Sequence, residues 1–256
     1  MNDPGAGVRF GLVDGLAPIS LSDLDAAASL QRRRDRKYIL TGAELGDLIA
    51  DLAPRLRVLE ISRRRTFRYQ SIYFDTSDYE SYRGAAHRRR RRFKVRTRTY
   101  LDTGTSMLEV KTKGAGGVTV KTRQPHPLGQ QAVLGGKAQR FVGEVMERPD
   151  LGPRLHPMLE TTYDRTTLVD LAEVARLTID ACLVCTNRVG DRVQLDDRYI
   201  VETKSRGSLS PADRRLRAQG IRPENLSKYC TGLAATNPAL PSNKWHRTLH
   251  RHFRSR

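Results

Sequence analysis

The strongest constraint on how this chain can fold is an alternation of charged residues with apolar or β-branched ones, repeated in several short segments. Successive side chains of a strand point to opposite faces. Read as a strand, 90–101 puts Lys94, Arg96 and Arg98 on one face and Val95 and Thr97 on the other. In 106–114, Glu109, Lys111 and Lys113 oppose Val110 and Thr112, and in 117–124, Lys121 and Arg123 oppose Val120 and Thr122. The same pattern sets Glu202 and Lys204 against Val201 and Thr203, and Asp35 and Lys37 against Arg36 and Tyr38. It also sets Arg176, Thr178 and Asp180 against Leu177 and Ile179.

The turn sequences DTGT and GAGG separate three of these segments at hairpin spacing. Further strands are expected at 33–40, 68–76, 158–170, 175–187 and 198–207. Helices are expected at 20–31, 41–56, 210–220 and 224–236, the second opened by Thr41 with Glu44 three residues on. Hairpins joining about eight strands imply an α+β fold, a closed antiparallel β-barrel with flanking helices, rather than a parallel sheet. With no internal repeat and no linker, the reading is one domain over 30–236, between an N-terminal arm (1–29) and a basic tail (237–256).

One strand with a charged face is ordinarily a half-exposed strand whose apolar face lies in a core. Six of them are different, because like charges directly opposite each other repel, and here cations recur with few carboxylates among them. The whole chain carries 46 Lys and Arg against 28 Asp and Glu, a net charge of +18. Such an excess speaks of partners rather than of fold. A barrel lumen that binds a phosphate chain supplies the missing anion: Arg forks match phosphate oxygens in pairs and Lys adds point charge. The few carboxylates on those faces would hold Mn²⁺ or Mg²⁺, which share their oxygen ligands with substrate phosphates.

Other classes fit less well. No run of 18 apolar residues exists, so no transmembrane segment is expected. The N-terminus has no secretory pattern, so cytoplasmic residence is expected. Cys182 and Cys185 form a lone CxxC in an apolar strand and read as buried structural residues. Five successive arginines, Arg88 to Arg92, cannot all face inward and read as a solvated run or a contact for an acidic partner or membrane. Nucleic acid is not the expected partner: no RRM, KH, helix-turn-helix or finger signature occurs, and only 6% of residues are aromatic.

Taken in order, these segments resemble the VTC domain, the polyphosphate polymerase domain within the wider triphosphate tunnel metalloenzyme (CYTH-like) group. RRDRKYIL resembles the first tunnel strand. It keeps Asp35 and Lys37 of the group's ExExK pattern, and Arg33 replaces the first acid. YFDT (73–76), KVRTR with Arg96 and Arg98, LEVKTK with Glu109 and Lys111, and TVKTR with Lys121 and Arg123 follow. YDRT with Tyr163 and Arg165, ARLTID with Arg176 and Asp180, VETKS with Glu202 and Lys204, and NLSKYCTG with Ser227 and Lys228 complete the set.

The resemblance implies transfer of the ATP γ-phosphoryl to a growing inorganic polyphosphate chain. Lys37, Arg96, Arg98, Lys111, Lys121, Arg165, Arg176, Lys204 and Lys228 would be catalytic. Lys94, Lys113, Arg123, Tyr163 and Ser227 would bind substrate. Glu202, with Glu109 or Asp180, would hold the divalent metal. It also allows a membrane-protein partner that recruits the domain. Two alternatives stay open: a triphosphatase or nucleoside-triphosphate hydrolase on the same fold, and a non-catalytic binder of polyphosphate or nucleic acid.

Overall fold

The computed structural model describes residues 11–27, 34–113, 119–207 and 209–253. The first ten residues of the expected arm, the 28–31 end of the first expected helix, Arg33, the 114–118 turn and the last three tail residues lie outside them. The strands are β1 (Ala17–Ile19), β2 (Arg34–Leu40), β3 (Leu56–Leu59), β4 (Thr66–Asp75), β5 (Arg92–Tyr100), β6 (Thr105–Lys113) and β7 (Thr119–Pro125). They continue with β8 (His156–Asp170), β9 (Ala175–Asn187), β10 (Arg192–Gln194) and β11 (Tyr199–Ser205). The α-helices are α1 (Leu21–Ala27), α2 (Gly42–Leu52), α3 (Glu80–Ala86), α4 (Gly136–Met146), α5 (Pro211–Ala218), α6 (Lys228–Thr236) and α7 (His246–His252).

The chain forms two compact units, and β8 and β9 each run from one into the other. The first holds Met1–Phe67, Asp164–Cys182 and Asp196–Glu224. There β2 pairs with β11 and β11 with β9, all antiparallel, so Lys37 lies opposite Glu202 and Glu202 opposite Thr178. The back face is a core in which Tyr38, Leu177, Ile179 and Val201 pack with α2 and α5. Helix α2 forms because Thr41 caps it in a reciprocal box with Glu44, and it buries Leu45, Leu48, Ile49 and Leu52 at helical spacing. Asp213 of α5, itself capped by Ser210, accepts hydrogen bonds from Tyr38 Oη (2.8 Å) and Thr203 Oγ1 (2.6 Å) and locks the back of β2 and β11.

The second unit holds Arg68–Tyr163, Leu183–Leu195 and Asn225–Arg256. β4, β5, β6 and β7 form an antiparallel run in which Tyr73, Arg96, Glu109 and Arg123 lie opposite one another in sequence. The apolar face of this run (Ile72, Phe74, Phe93, Val95, Leu108, Val110) packs beneath α4 with Leu151 and Leu155. The charged residues are thereby committed to the other face.

The mixed fold of antiparallel strands and helices agrees with the sequence reading, but the closed barrel does not. Among the described residues the strand path β2-β11-β9-β8-β4-β5-β6-β7 begins on β2 and ends on β7 with no pairing between those two, so the ladder is open. β7 carries the marks of an edge: Lys121 and Arg123 deter a further strand, Pro125 lacks an N–H to donate, and Val120 is 55% exposed.

Candidate functional site

The second unit gathers a cationic wall. Arg96 and Arg98 are each only 9% exposed, and Glu109 between the cations is fully buried. Arg96 donates to Glu109 Oε2 from Nε (2.8 Å) and Nη2 (2.5 Å), and Lys121 Nζ donates to Oε1 (2.7 Å). Burial opposes ionisation of Glu109, but Arg96, Arg98 and Lys121 override it and hold the carboxyl well below the usual range. Arg98 donates to Tyr163 Oη (3.1 Å) and stands 5.5 Å from the Tyr69 ring centre. Lys228 stands 4.5 Å over the Tyr163 ring.

Next to this pair of arginines, Lys94, Lys111 and Lys121 lie directly opposite one another on three adjacent strands. Lys94 Nζ donates to Ser227 Oγ (2.8 Å), and the same oxygen accepts from Cys230 N (3.2 Å) as the cap of α6. Beyond that row, Lys113 lies opposite Arg92. Arg123 is exposed on β7, opposite Glu109.

The first unit gathers a smaller set. Glu202 lies 3.7 Å from both Lys37 and Lys204, ion pairs longer than hydrogen bonds. Arg165 grips Asp180 with both ends of its fork, at 2.5 and 2.8 Å. Arg176 lies opposite Lys204 in register, while its Nη2 reaches the carbonyl of Leu24 (3.3 Å) and Asp25 (3.4 Å) on α1. Among the described residues, no three His, Cys, Asp or Glu side chains cluster as a ready-made metal cage. Glu202 does have Thr178 as its cross-strand neighbour, and that buried hydroxyl has no hydrogen-bond partner. A carboxylate and an unused hydroxyl on one face are hard oxygen donors and fit Mg²⁺ or Mn²⁺ held largely through substrate oxygens.

Sequence reasoning missed the scaffold behind the cationic wall. Asp75 of YFDT is fully buried and accepts from the backbone N–H groups of Thr76, Ser81 and Tyr82 and from Tyr229 Oη (2.6 Å). Burial nevertheless raises its pKa, despite those four donors. Tyr229 stacks on Tyr73 with ring centres 5.2 Å apart, and Tyr73 Oη accepts from Arg96 (3.2 Å). Asp75 and Tyr229 thus tie YFDT to the segment bearing Ser227 and Lys228, and Tyr73 steadies Arg96. Tyrosines recurring in both motifs were the available signal.

Strand order, register and the charged faces define an α+β protein built on an antiparallel ladder flanked by helices. A Bacillus halodurans protein provisionally named an adenylate cyclase shares the fold, with a TM-score of 0.51 at 14% identity over 77% of this chain and 94% of that one. A Hippeastrum protein, provisionally an adenylyl cyclase and described as having a dominant triphosphatase activity, aligns with a TM-score of 0.44. Its identity is 16%, over 82% of this chain and 98% of that one. Within this class the chain belongs to the VTC domain family, whose model matches residues 32–237. No curated protein sequence matches the chain significantly. No described helix is long and apolar enough to cross a membrane.

Proposed function

We propose that this protein is a polyphosphate polymerase that passes the γ-phosphoryl of ATP to the terminal oxygen of an inorganic polyphosphate chain and releases ADP. The observation that carries this reading is the row Lys94, Lys111 and Lys121, set in direct register beside the buried Arg96 and Arg98. Cations in that register repel each other, and a chain of phosphates laid along the row offsets that repulsion.

Phosphoryl transfer needs positioning and charge neutralisation more than covalent help. Arg96 is pre-aimed by Tyr73 and Glu109, and Arg98 by Tyr163, so both meet developing charge with little reorganisation. Lys94, Lys111, Lys113, Lys121 and Arg123 bind phosphate oxygens along the strands. Ser227 and Lys228 hold the acceptor end. The first unit has its own cations, Lys37, Lys204, Arg165 and Arg176, and within it Glu202 with Thr178 would hold Mn²⁺ or Mg²⁺. When bound, that ion neutralises phosphate charge.

Incubation with ATP and Mn²⁺, resolved on a gel for phosphate chains, tests the proposal. A ladder with matching ADP is expected. Free phosphate without chains would reassign the protein as a hydrolase, and no turnover with retained phosphate binding would leave only a binder.

A further inference from the structure

The cationic face does not stop at the wall. Arg92, Lys94, Arg96 and Arg98 occupy alternate positions on β5 and therefore one face, about 7 Å apart along the strand. Burial falls steadily in one direction along it. Arg98 and Arg96 are buried, Lys94 and Arg92 are half-buried, and Arg88 to Arg91, in the turn that precedes the strand, are exposed.

The chain's end is packed beside this turn. Lys244 Nζ donates to the carbonyl of Ala85 at the end of α3 (2.7 Å), and Trp245 packs on Tyr82 with ring centres 5.4 Å apart. Helix α7 follows directly and exposes His246, Arg247, His250 and Arg251. Burial, and then the charges of Arg92, Lys94 and Arg88, lower the Lys244 pKa, which places these cations in one field. No Asp or Glu occurs in 81–101 or in 225–256.

We infer that Arg92, the Arg88–Arg91 turn and the exposed face of α7 form a track that holds the emerging part of a long inorganic polyphosphate chain outside the reacting site. This rests on the polymerase reading and extends it to where the product lies. The composition of the surface selects the partner. Among the described residues, none of the exposed large apolar side chains falls in this patch, and Trp245 and Phe253 are buried. A membrane-seated helix wants apolar anchors on its other face, and a single-strand nucleic-acid site wants exposed aromatic rings for stacking. Closely spaced cations without exposed apolar or aromatic neighbours match a bare anionic chain.

The test is binding, independent of turnover. Tripolyphosphate is long enough for the wall alone, whereas a long-chain polyphosphate also reaches the track. Arg89→Gln, Arg90→Gln, Arg91→Gln, Arg247→Gln and Arg251→Gln are combined in one variant, whose fold is checked by thermal unfolding. Long-chain affinity is expected to fall about tenfold or more, with a shallower salt dependence, while tripolyphosphate affinity stays at the wild-type value. Equal loss for both ligands, or no loss for either, overturns the track. So does a variant that loses binding to single-stranded DNA or to phosphatidylserine vesicles while keeping the long chain. A gel without a phosphate ladder, combined with the selective loss of long-chain binding, would instead count against the polymerase reading and leave the track standing.

Discussion

Glu109→Gln separates the two jobs a buried carboxylate can have in a cationic wall. The substitution keeps the shape of the side chain and removes its charge, leaving Arg96 and Lys121 facing each other across a neutral amide. Removing one partner of a buried ion pair costs about 3–5 kcal/mol. Lys121 is 36% exposed at its side chain and is partly screened, so the lower end, about 3 kcal/mol, is expected. For a chain of this length that corresponds to a fall in Tm of about 6–12 °C, measured by thermal unfolding at neutral pH. Tripolyphosphate should then raise the Tm of the variant more than that of the wild type, because the phosphate replaces the missing charge and no longer competes with a carboxylate. The pH dependence has a fixed sign. The Glu109 pKa is depressed in the fold, so its contribution is present above the unfolded carboxyl value, about 4.3, and is lost as pH falls toward the folded value. The gap between wild type and variant should therefore be constant near neutrality and close in acid. An unchanged Tm, or a smaller response of the variant to tripolyphosphate, would refute the counter-charge argument.

Three further outcomes are expected. Glu202→Gln should lower Mn²⁺-dependent turnover about a hundredfold or more, measured as initial rate against metal concentration at saturating ATP. Arg165→Met leaves the buried Asp180 without its two-point partner and should destabilise by about 3–5 kcal/mol, read from urea midpoints. Gly152→Ala would put a methyl carbon 2.3 Å from the Gln139 carbonyl oxygen and 2.7 Å from its Cα. This backbone cannot retreat, so a loss of about 3 kcal/mol or more is expected, visible by thermal unfolding.

What the sequence revealed, it revealed through short-range periodicity. The α2 capping box and the two-residue alternation of β2, β5, β6, β9 and β11 are each set within a few residues, so they were legible. The missed features depend on long-range contacts. Tyr229 and Asp75 are 154 residues apart, and nothing local marks the tyrosine as the aspartate's partner. β1, β3 and β10 are three or four residues long and are strands only because neighbours pair with them. Alternation cannot distinguish an open ladder from a closed one, since strand periodicity is the same in both. It also cannot say whether an apolar face is covered, which is why Val120, expected to oppose the charged face of β7, turns out to be exposed at the edge.

Calorimetric titration of tripolyphosphate into the wild-type protein and into a Lys94→Met, Lys111→Met, Lys121→Met variant addresses the phosphate-chain claim most directly. The account predicts salt-sensitive binding to the wild type and a loss of about a hundredfold or more when the three-lysine row is neutralised. Equal affinity in the two proteins would contradict it.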